Sequence, residues 1–111
     1  MDKIIKILRT VQNEKREALL EHEVYEIFSE LGIRTPNFKF VGIQEKVALK
    51  LNGSCNEVVV KVVSPEILHK TELGGVVFCD NNEADISKAI QDIRKRTTKY
   101  DVRGFLVVEK V

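Results

Sequence analysis

Residues Lys61 to Val76 read KVVSPEILHKTELGGV, and the fold turns on how this stretch is read. It leaves a valine run, crosses a polar segment holding a histidine–lysine pair, and returns through Gly74-Gly75 to apolar residues. Val58 to Val63 is nearly continuous in β-branched residues, the pattern of a strand covered on both faces, and Lys61 is its single charge. Val76 to Cys79 reads as the strand that receives the chain after the loop.

Successive strand residues face opposite ways, so Lys61 shares a face with Val59 and Val63. Two readings of it stand side by side. An edge-strand lysine can snorkel to water and block aggregation. A lysine at a cleft can instead hold a phosphate; at about 4 Å and an effective dielectric near 20 such a pair gains roughly 4 kcal/mol before desolvation. Spacing alone does not separate the two.

In the loop, Ser64-Pro65-Glu66 has the composition of a helix start, which predicts a single helical turn over Pro65 to Leu68. Gly74-Gly75 permits positive φ or close approach to a ligand, although a glycine pair by itself usually marks a turn. His69 and Lys70 sit among polar neighbours, where an exposed loop histidine is the plain reading. Neither GxxxxGK[ST] nor GxGxxG occurs, and no Ser-His-Asp or Cys-His arrangement follows from spacing. His22, between Glu21 and Glu23, reads as a surface position on a helix.

Working outward, Ile4, Ile5, Leu8 and Val11 predict a short amphipathic helix. Leu20, Val24, Ile27, Phe28 and Leu31 predict a second, closed by Gly32, with Gln12 to Glu17 as the turn between them. Thr35-Pro36 forces extended chain, and Asn37 to Val41 reads as a strand. Ile43 to Leu51 predicts a short helix with Val47, Ala48 and Leu51 inward, broken at Asn52-Gly53-Ser54. Asn81-Asn82 turns the chain into a helix near Glu83 to Thr98, with Ile86, Ala89, Ile90, Ile93 and Thr97 on its apolar side. Gly104 to Val108 is the last strand. The order predicts an α/β domain with one mixed sheet, flanking helices and an N-terminal helical pair.

A chain of 111 residues suits one domain. Its 18 basic against 17 acidic residues give no field that would attract nucleic acid or anionic lipid. Arg94-Lys95-Arg96 falls late in a helix, where positive charge complements the dipole. No apolar run has spanning length, and MDKIIKILRT lacks the h-region and cleavage site of a signal peptide. Cys55 and Cys79 lie without CxxC spacing, which reads as two reduced thiols of a cytoplasmic protein, with no metal site.

Taken together, Lys61, Ser64-Pro65, Ile67, His69-Lys70 and Gly74-Gly75-Val76 resemble the signature K-x-x-S-P-x-I-x-H-K-[ST]-x-x-G-G-V. It belongs to the ATP-grasp domain of ADP-forming acyl-CoA synthetases, the acetate–CoA ligase type related to succinyl-CoA synthetase. Leu20-Glu21-His22-Glu23 through Leu31-Gly32-Ile33-Arg34-Thr35-Pro36 resembles the family's opening segment. Gly104 to Val111 is similar to its adenine hinge.

The resemblance implies the first lobe of an ATP-grasp fold, with residues 1–19 a helical lead-in and residues 20–111 the family-like region. It implies that Lys61 contacts nucleotide phosphates and that Gly74 and Gly75 lie over them, their N–H groups forming an anion nest. It implies that Glu109 to Val111 hold adenine, and that His69 is transiently phosphorylated while a phosphoryl group passes to ADP. Lys70 would offset charge on that group or serve as an exposed neighbour. ATP or ADP is the implied nucleotide, with Mg²⁺ in the complete enzyme on ligands outside this chain. A second ATP-grasp lobe and a CoA-binding subunit or domain are the implied partners, and the 111 residues alone are expected to be inactive. Either self-association or a partner is expected at an exposed C-terminal edge at Val111. The alternatives are a non-catalytic half-module that binds nucleotide or a partner protein, and a succinyl-CoA-synthetase-like ligase of different acid specificity.

Overall fold

The computed structural model describes residues 2–44, 47–53 and 55–110. It divides into two compact units, Met1–Thr35 and Pro36–Val111.

The first unit is a helical pair, α1 (Asp2–Asn13) and α2 (Glu21–Glu30). Ile7 is the buried residue of α1, flanked by half-buried Ile4 and Val11, whereas Ile5 and Leu8 are exposed. The inward stripe is therefore Ile4–Ile7–Val11 and not the predicted Ile4–Ile5–Leu8–Val11. Both helices stop in the same way. Lys15 (φ 56°) and Gly32 (φ 76°) enter the left-handed region, and the amides there reach back three and five residues. Between the helices, Arg16 grips Glu23 with two bonds of 2.7 and 2.8 Å. Glu23 Oε1 also accepts the Leu20 N–H at 2.8 Å, which caps the start of α2.

The second unit is a four-stranded sheet with one helix on it: β1 (Phe38–Gly42), β2 (Glu57–Val63), β3 (Val76–Asp80), α3 (Glu83–Arg96) and β4 (Gly104–Glu109). The α/β class and the strand positions agree with the sequence. The sheet order is β1-β4-β2-β3 and every pairing is antiparallel, so the sheet is not mixed. The cause is topological. β3 and β4, joined through α3, run parallel but have β2 between them; β1 and β2 run parallel but have β4 between them.

The core lies between the sheet and α3. Val58, Val60 and Val62 are fully buried there with Ile86, Ala89, Ile90, Ile93, Phe105 and Val107. Helix α3 starts at Asn82, whose side chain accepts the Asp85 N–H at 2.8 Å. The basic last turn complements the dipole and does more: Arg94 donates to Ile43 O at 2.7 Å and lies over the Phe105 ring.

The predicted helix over Ile43 to Leu51 does not form. Residues 43–44 are a turn and residues 47–51 are irregular, with Glu45 and Lys46 outside the described residues. Side chains from the β3–α3 corner claim the backbone instead. Glu83 accepts the N–H groups of Leu49 and Lys50, and Asn81 bonds both the N–H and the carbonyl of Leu51. Lys39 Nζ takes the carbonyls of Ala48 and Lys50. Leu51 is buried as predicted, but Val47 and Ala48 are exposed. No helix among the described residues is long and apolar enough to cross a membrane.

Candidate functional site

Lys61 lies on β2, between β4 and β3, opposite Leu106 on one side and Val76 on the other. A strand paired on both sides is no edge, so the edge-strand reading of this lysine fails. Val58, Val60 and Val62 point at α3, and the alternation of the strand sends Lys61 to the other face with Val59 and Val63. Its row there runs Phe40, Leu106, Lys61, Val76, and the next runs Phe38, Val108, Val59, Phe78. Leu106 is fully buried, Lys61 is half-buried and Phe78 is 59% exposed. A half-buried lysine thus stands one row from an exposed aromatic ring that also meets the Lys110 ammonium, on a face that grades from buried to exposed. That combination suits a ligand with an anionic group and a flat apolar one.

The loop after β2 is built from pegs and a turn. Ser64 Oγ accepts the Glu66 N–H at 3.1 Å, so Pro65-Glu66 forms a tight turn and the predicted helical turn over Pro65 to Leu68 is absent. Ile67 is buried in the α3-side core and Leu73 packs against it. Leu68 (87% exposed) and His69 stand outside, between these pegs.

The helical turn falls later, over Lys70 to Gly74. Gly74 (φ 71°) closes it, its N–H donating to Thr71 O at 3.1 Å, and the Gly75 N–H donates to Lys70 O at 2.7 Å. The glycine pair has two separate causes. Gly74 takes up the left-handed stop. Gly75 passes so close beneath the turn that a Cβ would lie 2.6 Å from Val62 Cγ1. Because both glycine N–H groups are engaged within the turn, cradling a phosphate with them requires the turn to open.

His69 therefore rides on a turn anchored to the α3 side, while Lys61 projects from the opposite face of the sheet. Pockets of about 350 and 230 Å³ lie along α3, the first lined by Val41, Leu49 and Ile90 and the second by Val77, Cys79 and Asp92. Neither is lined by Lys61 or His69. Burial, with Asp85 and Asp80 nearby, pushes the Cys79 thiol up, which makes it a poor nucleophile at neutral pH.

At the end of β4, Glu109 is tied to the start of β1. Its Oε1 accepts the Asn37 N–H at 2.8 Å and its own N–H donates to Asn37 O at 2.9 Å. The Lys110 N–H donates to Glu57 O, and its ammonium lies over the Phe78 ring. Adenine held by this segment would have to use groups other than these two amides; Val111 lies outside the described residues. β4 is paired on both sides, so the expected exposed C-terminal edge is not an edge; β1 and β3 are the outer strands. No cluster of three or more His, Cys, Asp or Glu suited to a metal ion occurs among the described residues.

Two residues at the feet of the loop carry no sequence signal. Arg96 Nη1 donates to Gly74 O at 3.1 Å, and Glu66 Oε1 accepts the Asp101 N–H. Each partner is more than twenty residues away, beyond the reach of periodicity or spacing arguments.

The chain is similar to several known proteins. The chain is 35% identical over 103 residues to the acetate–CoA ligase [ADP-forming] I subunit beta of Pyrococcus furiosus, covering 90% of this chain and 44% of that one. It is 33% identical over 110 residues to the 4-hydroxybutyrate–CoA ligase [ADP-forming] of Nitrosopumilus maritimus, covering 96% of this chain and 16% of that one. A solved acetyl-coenzyme A synthetase of Ca. Korarchaeum cryptofilum, described as dinucleotide forming and in complex with coenzyme A and Ca-AMPCP, superposes with a TM-score of 0.71. That match has 25% identity over 96% of this chain and 48% of that one. The chain thus spans less than half the length of each of these relatives. Residues 10–111 match the ATP-grasp domain, and the chain belongs to that family.

Proposed function

We propose that this chain is the nucleotide-binding part of an ADP-forming acyl-CoA ligase. The overall reaction converts acyl-CoA, ADP and phosphate to acid, CoA and ATP. The observation that carries the reading is the half-buried Lys61 on a central strand, aimed away from the helical core and one row from exposed Phe78. A nucleotide supplies both an anion for the lysine and a flat ring for the neighbouring face.

In this reading Lys61 holds the nucleotide phosphates and the segment Glu109–Val111 borders the adenine. His69, exposed on its turn, is the phosphoryl acceptor: an imidazole nitrogen attacks the terminal phosphorus of ATP, the bond to the bridging oxygen breaks, and ADP leaves. The reverse transfer makes ATP. Lys70 offsets charge on the transferred group, and Gly74 and Gly75 fix the turn that presents it. A second ATP-grasp lobe contributes the rest of the nucleotide site and Mg²⁺, and a CoA-binding subunit or domain holds the acyl chemistry. The setting is the cytoplasm.

The test is to incubate the complete protein with γ-labelled ATP and map acid-labile phosphate by mass spectrometry. Label on His69, lost in His69→Ala, supports the reading. Full turnover by His69→Ala overturns it.

A further inference from the structure

The loop that carries His69 is held at both feet by one corner of the fold. At its start, Glu66 Oε1 accepts the N–H of Asp101, in the connection between α3 and β4. The same connection is fastened to the end of β2, where the Arg103 N–H donates to Val63 O at 2.8 Å. At the loop's far end, Arg96 from the last turn of α3 donates to Gly74 O at 3.1 Å and packs close to that residue. A Cβ on Gly74 would sit 2.7 Å from Arg96 Cδ. Inside these two latches the pegs Ile67 and Leu73 fix the loop to the core. The turn between them is tied internally by Gly75 N–H to Lys70 O, Gly74 N–H to Thr71 O and Leu73 N–H to His69 O.

This arrangement gives the loop three kinds of restraint. Internal bonds give the turn its shape; the pegs, with the Val62 N–H donating to Gly75 O at 2.8 Å, fasten it to the core and to β2. The two latches add to these by joining each foot of the loop to the α3–β4 corner. We infer that Arg96 and Glu66 are positioning residues for phosphoryl transfer at His69. They set the place of the imidazole and touch neither nucleotide nor transferred group. The inference rests on the reading of His69 as the acceptor. Displacing a reacting group by about 1 Å through a remote change can cost on the order of a hundredfold in rate. Loss of either latch is therefore expected to slow transfer at least tenfold.

The experiment compares the complete wild-type protein with Arg96→Ala, Arg96→Lys, Glu66→Ala and Glu66→Gln. Three quantities are read: the rate of His69 phosphorylation by ATP, the dissociation constant for ATP, and hydrogen exchange at the Gly75 amide. The expected result is a slower rate in both alanine variants with the dissociation constant unchanged within about twofold, and faster exchange at Gly75. Glu66→Gln keeps an acceptor oxygen for the Asp101 N–H and should recover most of the rate; Arg96→Lys should recover part of it. Both conservative variants keep a latch should an alanine variant fail to fold. Wild-type label on His69 with unchanged rates in the alanine variants, or a dissociation constant that weakens in step with the rate, overturns the inference alone. Absence of label on wild-type His69 overturns the reading it rests on, and the inference with it.

Discussion

Lys61 and Leu106 stand opposite each other across β2 and β4, the lysine half-buried and the leucine fully buried. Lys61→Met keeps the apolar stem of the side chain and should leave unfolding stability unchanged within about 1 kcal/mol. Urea denaturation measures this. A loss of stability would assign the lysine a structural role instead.

The two loop glycines should respond differently to alanine. At Gly75 the new methyl meets Val62 Cγ1 at 2.6 Å and the Lys70 carbonyl at 3.1 Å, in packed surroundings, and should cost about 2–3 kcal/mol. At Gly74 the close neighbour is the flexible Arg96 side chain, so the left-handed φ dominates at about 1 kcal/mol. Thermal unfolding should rank Gly75→Ala as the more damaging change.

Asn81 replaces the helix that residues 43–51 do not form. Its amide donates to the carbonyls of Leu51 and Cys55 and its oxygen accepts the Leu51 N–H, all within 2.9 Å. Asn81→Ala leaves these backbone groups unmatched in a buried place and should cost about 2–3 kcal/mol by chemical denaturation. Asn82→Ala, which removes only a cap, should cost about 1 kcal/mol.

Burial would raise the Glu23 carboxyl, but the Arg16 hydrogen bonds, the Leu20 N–H and the Arg16 charge outweigh it and hold the group below the usual range. A lowered value stabilises the fold above the ordinary glutamate value of about 4.3, and the contribution fades as pH falls through the folded value. The helical pair should therefore keep its circular dichroism at neutral pH and lose it in acid. Glu23→Ala should remove about 2 kcal/mol at neutral pH and flatten that acid dependence.

What was legible in the sequence was local. Strands β2 and β3 follow from β-branched runs and the bounding glycines, and α3 from its stripe and its asparagine start. The signature residues on either side of His69 singled out the loop between β2 and β3 as the candidate site. What failed depended on partners distant in sequence. The amides of Leu49 and Lys50 answer to Glu83, and nothing within residues 43–51 announces it. The insertion of β4 between β1 and β2, which makes the sheet antiparallel and puts Lys61 on an interior strand, is equally non-local. Ile7 was within reach, since Ile4–Ile7–Val11 has helical spacing; choosing Ile5 and Leu8 mistook exposed apolar residues for the inward face.

The measurement that bears most directly on the central claim is calorimetric titration of the complete protein with Mg·ATP, wild type against Lys61→Met. The account predicts saturable binding weakened at least tenfold, about 1.4 kcal/mol, in a variant that remains folded. Equal affinity in the two folded proteins would contradict it.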